Sequence, residues 1–150
     1  MKLIKVINQK QLVDALKVRS IVFCEEQQVS VDIQIDKDDE TCFHYVCYDD
    51  DDYPLGACRL VKHHNYLKLG RFCVRKEVRN QGIGKFMLQS LETQDEVLKI
   101  GEIRLHAQIH ALDFYQHCGY IAFDQEFLEA GIPHKKMRKK LHDNQVSKVS

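Results

Sequence analysis

The feature that most constrains the fold of this chain is a turn with two glycines between a predicted strand and a predicted helix. The strand ends near Val74, and the turn that follows contains Arg79-Asn80-Gln81-Gly82-Ile83-Gly84-Lys85. A helix that begins here exposes unpaired backbone N–H groups and the positive end of its dipole. Glycines let a ligand approach that backbone closely. The turn therefore predicts a site for a pyrophosphate or a similar anion.

Two other phosphate-binding motifs do not fit the spacing. The dinucleotide motif GxGxxG would need a glycine at position 87, where Met87 stands. A Walker loop needs four residues between its glycines and a Ser or Thr after its Lys. Here one residue separates Gly82 from Gly84, and Phe86 follows Lys85. Without further signals, a tight turn that binds nothing stays an equal alternative.

Composition limits the class of protein. The chain has 150 residues, of which 44% are hydrophobic and 29% charged, which is typical of a globular domain with a real core. Two prolines and no Gly/Ser-rich linker predict a single domain over residues 1–150, with a frayed tail after about residue 142. The formal net charge of zero argues against nucleic-acid binding. The basic stretch His134 to Lys140 is expected to be a solvated strand face.

The sequence also predicts no membrane association. No apolar run approaches the roughly 20 residues that span a bilayer. Charged residues interrupt the N-terminal segment every few positions, so it is not a signal peptide, and a cytoplasmic location is expected. The six cysteines lack CxxC spacing and are expected to be free thiols without a metal site.

Apolar periodicity predicts the element order β-α-β-β-β-α-β-α-β-β. The predicted helices cover about residues 9–23, 82–100 and 110–118. The predicted strands cover about residues 3–7, 42–48, 55–62, 66–74, 103–108, 120–123 and 135–141, and residues 29–39 are expected to form a loop. A crossover helix between strands implies a mixed sheet with helices on both faces, an α/β (α+β) class.

Two motifs resemble those of the GNAT superfamily of acyl-CoA N-acyltransferases. Arg79 to Gly84 is similar to the pyrophosphate loop R/Q-x-x-G-x-G/A, and Gly70 to Val74 occupies the place of the strand that pairs with pantetheine. His106 to Tyr120 resembles the second signature, N-x-x-A-x-x-F/L-Y-x-x-x-G-F/Y. The resemblance covers about residues 2–141 and is closest to the YjcF/ElaA-like branch. It implies the GNAT fold, a central mixed, mostly antiparallel sheet of six to seven strands flanked by helices.

The resemblance implies acetyl-CoA as co-substrate, transfer of its acetyl group to a primary amine of a small molecule or peptide, and no metal. A CoA-binding sensor without turnover is the alternative, and a homodimer is one open outcome for the oligomeric state. Gln108 stands where the family often has Asn, and because its side chain is longer, its reach toward the donor differs. The residues expected to bind the donor are Phe72, Cys73, Val74, Arg79, Asn80, Gln81, Gly82, Ile83, Gly84, Lys85, Gln108, Ala111, Phe114 and Tyr115.

The resemblance also assigns catalytic roles. Tyr115 matches the family tyrosine that donates a proton to the leaving sulfur, and an unperturbed phenol keeps its proton at neutral pH. His106 is the favoured general base, because histidine titrates near neutrality. Other acids and histidines of this region, or a water relay, stay open alternatives for the base.

The segment after the first helix corresponds to the family's acceptor wall. Glu26, Asp36 and His44 are therefore expected to contact the acceptor. Residues 32–52 carry nine acids and one Lys. This charge either holds a cationic amine or forms a solvated acidic loop.

Overall fold

The structure of the chain is a computed structural model that describes residues Met1–Leu141, so the tail predicted beyond about residue 142 lies outside the described residues. The strands are β1 (Lys2–Lys5), β2 (Phe43–Tyr48), β3 (Pro54–Lys62), β4 (Leu67–Val74), β5 (Glu102–Gln108), β6 (Ile121–Glu129) and β7 (Ile132–Lys140). The α-helices are α1 (Gln9–Arg19), α2 (Val31–Gln34), α3 (Ile83–Leu91), α4 (Asp95–Ile100) and α5 (Leu112–His117). The predicted mixed α/β architecture is confirmed, with helices that flank one seven-stranded sheet.

The strands are hydrogen-bonded neighbours in the order β1-β2-β3-β4-β5-β7-β6. β1 pairs antiparallel with β2, β2 with β3, and β7 with both β5 and β6. β4 and β5 are parallel, and α3 and α4 form the crossover between them. Because opposite residues in neighbouring strands share a face, this register decides which side chains meet.

The helix predicted over residues 82–100 is two helices, so that prediction was wrong at its centre. α3 ends at Leu91, and α4 begins at Asp95 after the N-cap residue Gln94. Asp95 and Glu96 place negative charge in the first turn of α4, which favours a new helix start there. The predicted C-cap at Gly101 is confirmed by its left-handed backbone, with φ of 86°.

The first predicted helix also changes character along its length. It is α-helical to Arg19 and continues as a π-helix over Ser20–Glu26, in which Gln27 N donates to the Val22 carbonyl. The segment predicted as loop contains α2 and a short 3₁₀ helix, Lys37–Glu40. π-Helical turns occur often at functional sites, and this one precedes the segment assigned to the acceptor wall.

The described chain divides into two compact units, which we treat separately. Unit 1 comprises residues 1–61 and 70–91, and unit 2 comprises residues 62–69 and those from 92 on. In unit 2, β5 alternates between a buried face and a partly exposed face that carries Arg104, His106 and Gln108. No helix among residues 1–141 is long and apolar enough to cross a membrane. The core cluster of unit 1 contains Ala15, Val18, Val22, Val46, Tyr48, Ala57 and Cys73.

Candidate active site

In unit 1, the glycine turn lies between β4 and α3, as the sequence predicts. Asn80 and Gly82 have positive φ angles of 63° and 82°. The Gly82 carbonyl accepts from Phe86 N at 3.0 Å, so the first N–H groups of α3 have no acceptor within the helix. Apart from its chain neighbours, no described atom lies within 4 Å of where a Gly82 Cβ would stand. Open space at a helix N-terminus fits a phosphate group.

The remaining donor-binding predictions in unit 1 fall along β4 and this turn. Cys73 is buried and its Sγ donates to the Ala57 carbonyl at 3.7 Å, so it belongs to the core. Ile83 is likewise buried in the first turn of α3. The other predicted residues are partly or fully exposed, namely Phe72, Val74, Asn80, Gln81, Gly84 and Lys85.

Three hydrogen bonds hold the Arg79 guanidinium within unit 1. Its Nε donates to the Val74 carbonyl at 2.9 Å, and its two terminal nitrogens donate to the two Glu26 carboxylate oxygens at 2.6 Å each. The hydrogen bonds from Arg79 lower the pKa of Glu26 below its usual value. A residue predicted to bind the donor and one predicted to bind the acceptor are therefore paired with each other. A phosphate that binds both terminal nitrogens in the end-on arrangement of Glu26 has to displace the carboxylate.

In unit 2, β5 and β6 bring an imidazole and a carboxylate together. His106 Nδ1 lies 2.8 Å from Oε1 of Glu129, and Oε2 of Glu129 lies 3.7 Å from His134 Nε2. Phe127 meets the His106 ring edge-to-face, with ring centroids 4.9 Å apart. A carboxylate on Nδ1 orients the ring and favours the tautomer with its proton on Nδ1. Nε2 is then the acceptor nitrogen.

The surroundings of His106 keep it neutral. Burial lowers its pKa, the hydrogen bond with Glu129 opposes this shift, and the charge of Lys68 lowers the pKa again. The net direction is below the ordinary histidine value, so the imidazole is unprotonated at neutral pH. The His106 side chain is 25% exposed, so a substrate can reach it. This is the protonation state of a general base.

Glu129 was missed because β6 extends beyond Phe123, where the predicted strand ended. The pairing with β7 shifts between Phe123 and Phe127, so a bulge interrupts the strand without ending it. Asp124, within the bulge, has a positive φ of 62°. The polar run that follows Phe123 in the sequence marks this bulge, and the strand resumes after it and ends at Glu129.

A two-residue turn then connects Glu129 to Ile132. Ala130 and Gly131 have φ angles of 52° and 75°, as the tightest hairpin turns require. Ala-Gly between the apolar pair Phe127-Leu128 and Ile132 was the signal in the sequence that could have placed this hairpin.

Tyr115 lies half-buried on α5, also in unit 2. Its ring packs edge-to-face against Phe114 and Tyr120, with centroids 5.1 Å and 5.9 Å apart. Tyr120 is buried in the core, and its hydroxyl donates to Glu92 at 3.3 Å. The remaining predicted donor residues of this unit follow one another along the chain, with Gln108 at the end of β5, Ala111 before α5 and Phe114 on α5.

The acidic segment assigned to the acceptor wall is paired with arginines of unit 1. Arg19 is fully buried and donates to both carboxylate oxygens of Asp39, at 2.8 Å and 3.0 Å. It also donates to Oε1 of Gln34 at 2.6 Å. Arg59 donates to Asp36 at 2.6 Å and 2.9 Å and to Asp39 at 2.9 Å. These contacts, with those of Arg71, form what we call the arginine network.

Arg71 donates to the Gln34 carbonyl at 2.8 Å and to Asp36 at 3.1 Å. The hydrogen bond from Arg59 lowers the pKa of Asp36. Burial raises the pKa of Asp39, but its hydrogen bonds outweigh burial, and the carboxyl pKa lies well below its usual value. Two carboxylates thus face three guanidinium groups. The network has no spare negative charge for a cationic amine.

His44, the third residue predicted to contact the acceptor, is buried in this network. Its Nε2 lies 2.9 Å from the Asp39 carbonyl oxygen and 3.4 Å from Cys42 Sγ. Potential ligand atoms of Asp39, Cys42 and His44 lie within 4.8 Å of one another. However, arginines hold both Asp39 oxygens, and burial raises the pKa of Cys42 to about 11. A metal ion would meet a protonated thiol and neighbouring positive charges, so this cluster suits a metal poorly.

Known proteins match nearly the whole chain. The family model described as Acetyltransferase (GNAT) domain matches residues 10–141. The Bacillus subtilis protein named Uncharacterized N-acetyltransferase YjcF is 39% identical over 140 residues, which cover 93% of this chain and 99% of that protein. The Escherichia coli ElaA structure has a TM-score of 0.78 at 27% identity, over 93% of this chain and 100% of that one. An acyl-CoA N-acyltransferase structure from Pseudomonas aeruginosa has a TM-score of 0.79 at 25% identity, over 93% of this chain and 99% of that one.

Proposed function

The chain belongs to the GNAT acetyltransferases, in the branch with YjcF and ElaA, and on that premise we propose that it transfers an acetyl group from acetyl-CoA to a primary amine. The observation that carries this proposal is the 2.8 Å contact between His106 and Glu129. It provides an oriented, neutral imidazole at a partly exposed position. Removal of a proton from an ammonium group requires such a base.

The glycine turn is the proposed site for the donor's pyrophosphate. Its support is the positive φ of Gly82, the open space beside it and the N–H groups at the start of α3 that have no acceptor within the helix. The resemblance to the family motifs implies that residues along β4 and after β5 would hold the rest of the donor. Arg79 would contribute after it exchanges the Glu26 carboxylate for phosphate.

The proposed reaction is a direct attack by the amine. His106 Nε2 removes a proton from the amine, directly or through a water molecule. The neutral amine nitrogen then bonds to the thioester carbonyl carbon, the carbon–sulfur bond breaks, sulfur leaves as a thiolate, and the nitrogen loses its second proton to solvent. Tyr115 donates its phenolic proton to the sulfur and regains one from solvent, so the products are an amide and free CoA.

We revise the proposal for the acceptor wall. Asp36 and His44 are held in the arginine network, so we propose that they shape the wall without binding the amine. Glu26 has an exposed side chain and can change partner when Arg79 binds phosphate, so contact with the acceptor stays a proposal for it. The cytoplasmic location and the homodimer likewise stay predictions from sequence.

The test is thiol release from acetyl-CoA with a panel of amines. Tyr115→Phe is expected to lower kcat by about a hundredfold or more, as loss of a general acid does, with little change in CoA affinity. Tyr53→Phe removes a phenol from an exposed ring of unit 1 and serves as the control. Unchanged turnover in Tyr115→Phe would remove Tyr115 from the mechanism. CoA binding without thiol release for any amine would favour the sensor function.

A further inference from the structure

One face of the sheet in unit 2 carries a row of positive charges beside the candidate base. In the strand register, Lys68 lies opposite Arg104, Arg104 opposite Arg138, and His106 opposite Lys136. Opposite residues point to the same side of a sheet, so these side chains share a face. The basic stretch on β7 therefore directs part of its charge to the face that carries His106.

A cavity of about 160 Å³ opens on this face. It is smaller than the roughly 300 Å³ at which pockets for drug-sized ligands begin, so it fits one end of an acceptor. Residues of β4, β5, β6 and β7 and of the turn before β4 line it. Its lining includes Tyr66, Lys68, Arg104, His106, Phe123 and Lys136.

Arg104 is fixed in place within the cavity wall. Its guanidinium lies 4.2 Å from the centroid of the Tyr66 ring and 5.5 Å from that of Phe123. Its Nε donates to Glu102. Neither terminal nitrogen of Arg104 forms a hydrogen bond within residues 1–141. A fork held in this way can bind a carboxylate or a phosphate through two parallel hydrogen bonds.

Each acid near the cavity has a contact partner, but Glu129 keeps its negative charge because His106 is neutral. The pairs are Glu102 with Arg104, Glu129 with His106, and Asp124 with Lys136 at 3.6 Å. Lys68 has no ion pair or hydrogen bond within the described part of the chain, and its charge is felt at the His106 imidazole. The lining of the cavity itself holds three cations, Lys68, Arg104 and Lys136, and one acid, Asp124, so its net charge is positive.

We propose that this cavity binds an anionic group of the acceptor, a carboxylate or a phosphate, through Lys68 and Arg104. It thereby selects acceptors whose primary amine is near such a group and presents that amine to His106 Nε2. The inference rests on the proposed acetyltransferase function and names the substrate class. It is an alternative to the cationic acceptor that the acidic segment left open, since arginines hold Asp36 and Asp39 of that segment.

The first test uses acceptors that differ only in the charge of their far end. Thiol release is measured with γ-aminobutyrate, butylamine and putrescine, and with phosphoethanolamine against ethanolamine, which separates carboxylate from phosphate recognition. Binding of each compound to the CoA-loaded protein is measured by calorimetry. The preferred anionic acceptor is expected to exceed its neutral analogue by about tenfold or more in kcat/KM, as for a charged hydrogen bond. Putrescine is expected to be the poorest.

The second test changes the cation. Lys68→Met is expected to lower kcat/KM for the anionic acceptor about tenfold more than it changes kcat/KM for butylamine, so the ratio between the two acceptors is the readout. Lys68→Arg should retain the preference for the anionic acceptor over butylamine, and Lys68→Glu should shift the preference toward putrescine. Lys99→Met, at an exposed position on α4, is the matched control and should change nothing.

The outcomes separate the two proposals. Equal binding and turnover of anionic and neutral acceptors, unchanged by Lys68→Met, would overturn the cavity inference while leaving acetyl transfer intact. Preferential binding of anionic acceptors that Lys68→Met abolishes, but without thiol release, would support the cavity and count against transfer. Absence of both binding and thiol release would overturn both proposals.

Discussion

Asp39→Asn is expected to be the most damaging single substitution in the arginine network. The Arg19 side chain is 0% exposed and the Asp39 side chain 9%. Asp39 accepts two hydrogen bonds from Arg19 and one from Arg59. Asparagine keeps the shape but offers one acceptor oxygen and no charge. The substitution therefore leaves the buried Arg19 guanidinium without its carboxylate partner.

The magnitude follows from burial. Loss of one partner of a buried ion pair costs about 3–5 kcal/mol, because the remaining charge is desolvated and uncompensated. Asp36→Asn is the matched control, since Asp36 shares Arg59 as a partner but its side chain is 36% exposed. Solvent then replaces part of the lost interaction, so about 1 kcal/mol is expected there.

The direction of the Asp39 pKa shift decides how the loss of stability in Asp39→Asn depends on pH. Burial raises the pKa of Asp39, but its hydrogen bonds outweigh burial, so the folded-state value lies below the unfolded one. Such a carboxylate contributes its full stability above the unfolded pKa of about 3.9 and loses it as pH falls toward the folded value. The free energy of unfolding, measured by urea denaturation between pH 7 and acid, should therefore show the largest deficit of Asp39→Asn at neutral pH. A deficit equal to that of Asp36→Asn would refute the reasoning.

Three further substitutions test the site. Gly82→Ala should weaken CoA binding by about tenfold or more, measured by calorimetry, because its Cβ fills the space left for phosphate. Glu26→Gln should strengthen CoA binding about two- to fivefold at low salt, since it releases the terminal nitrogens of Arg79. Glu129→Gln should lower kcat by about tenfold and move the acid limb of its pH profile to lower pH, because Glu129 raises the pKa of the neighbouring imidazole.

Each of these predictions has its own control. Gly131→Ala imposes a similar backbone conformation, with φ of 75° and nothing within 4 Å of its Cβ, but should not change CoA affinity. Equal losses in the two glycine variants would show that strain, and not phosphate access, is measured. Weaker CoA binding in Glu26→Gln would mean that the carboxylate orients Arg79 for the donor. An acid limb that moves to higher pH in Glu129→Gln would exclude His106 as the titrating base.

The parts of the fold that could be predicted depend on neighbours in the sequence. Apolar periodicity located every strand and the main helices to within a few residues, apart from the full length of β6. It could do so because residues that are buried on one face of an element recur at regular spacing in the sequence. The glycine turn before α3 could also be predicted, since two glycines follow a strand and precede a helix in the sequence. The break between α3 and α4 could not, because apolar residues kept helical spacing on either side of it.

The charge of the acceptor wall could not be predicted from its own residues. Residues 32–52 look strongly acidic, with nine acids and one Lys. Their counter-ions, Arg19, Arg59 and Arg71, come from α1, β3 and β4, separated from Asp36 and Asp39 by 20 to 35 positions, and only folding brings them there. Local charge therefore left a cationic acceptor open, whereas the pairing of Asp36 and Asp39 with arginines removes those two carboxylates from its support.

The hairpin that positions Glu129 carries a conformational cost that can be measured. Ala130 has a φ of 52°, a left-handed conformation that costs a residue with a Cβ roughly 1 kcal/mol. Ala130→Asn and Ala130→Gly both suit this position of a two-residue turn, where Asn-Gly is strongly preferred. Both should raise the free energy of unfolding, the Asn variant by about 1 kcal/mol and the Gly variant by less, because glycine also loosens the unfolded chain.

Neither substitution alters the pairing of Glu129 with Ile132, so acetyl transfer should be retained in both variants. Urea denaturation and thiol release together separate stability from function. A less stable Asn variant would show that the turn does not adopt this conformation in solution. A more stable variant that loses turnover would show that Glu129 depends on a flexible hairpin, because the contact with His106 would then form only during the reaction.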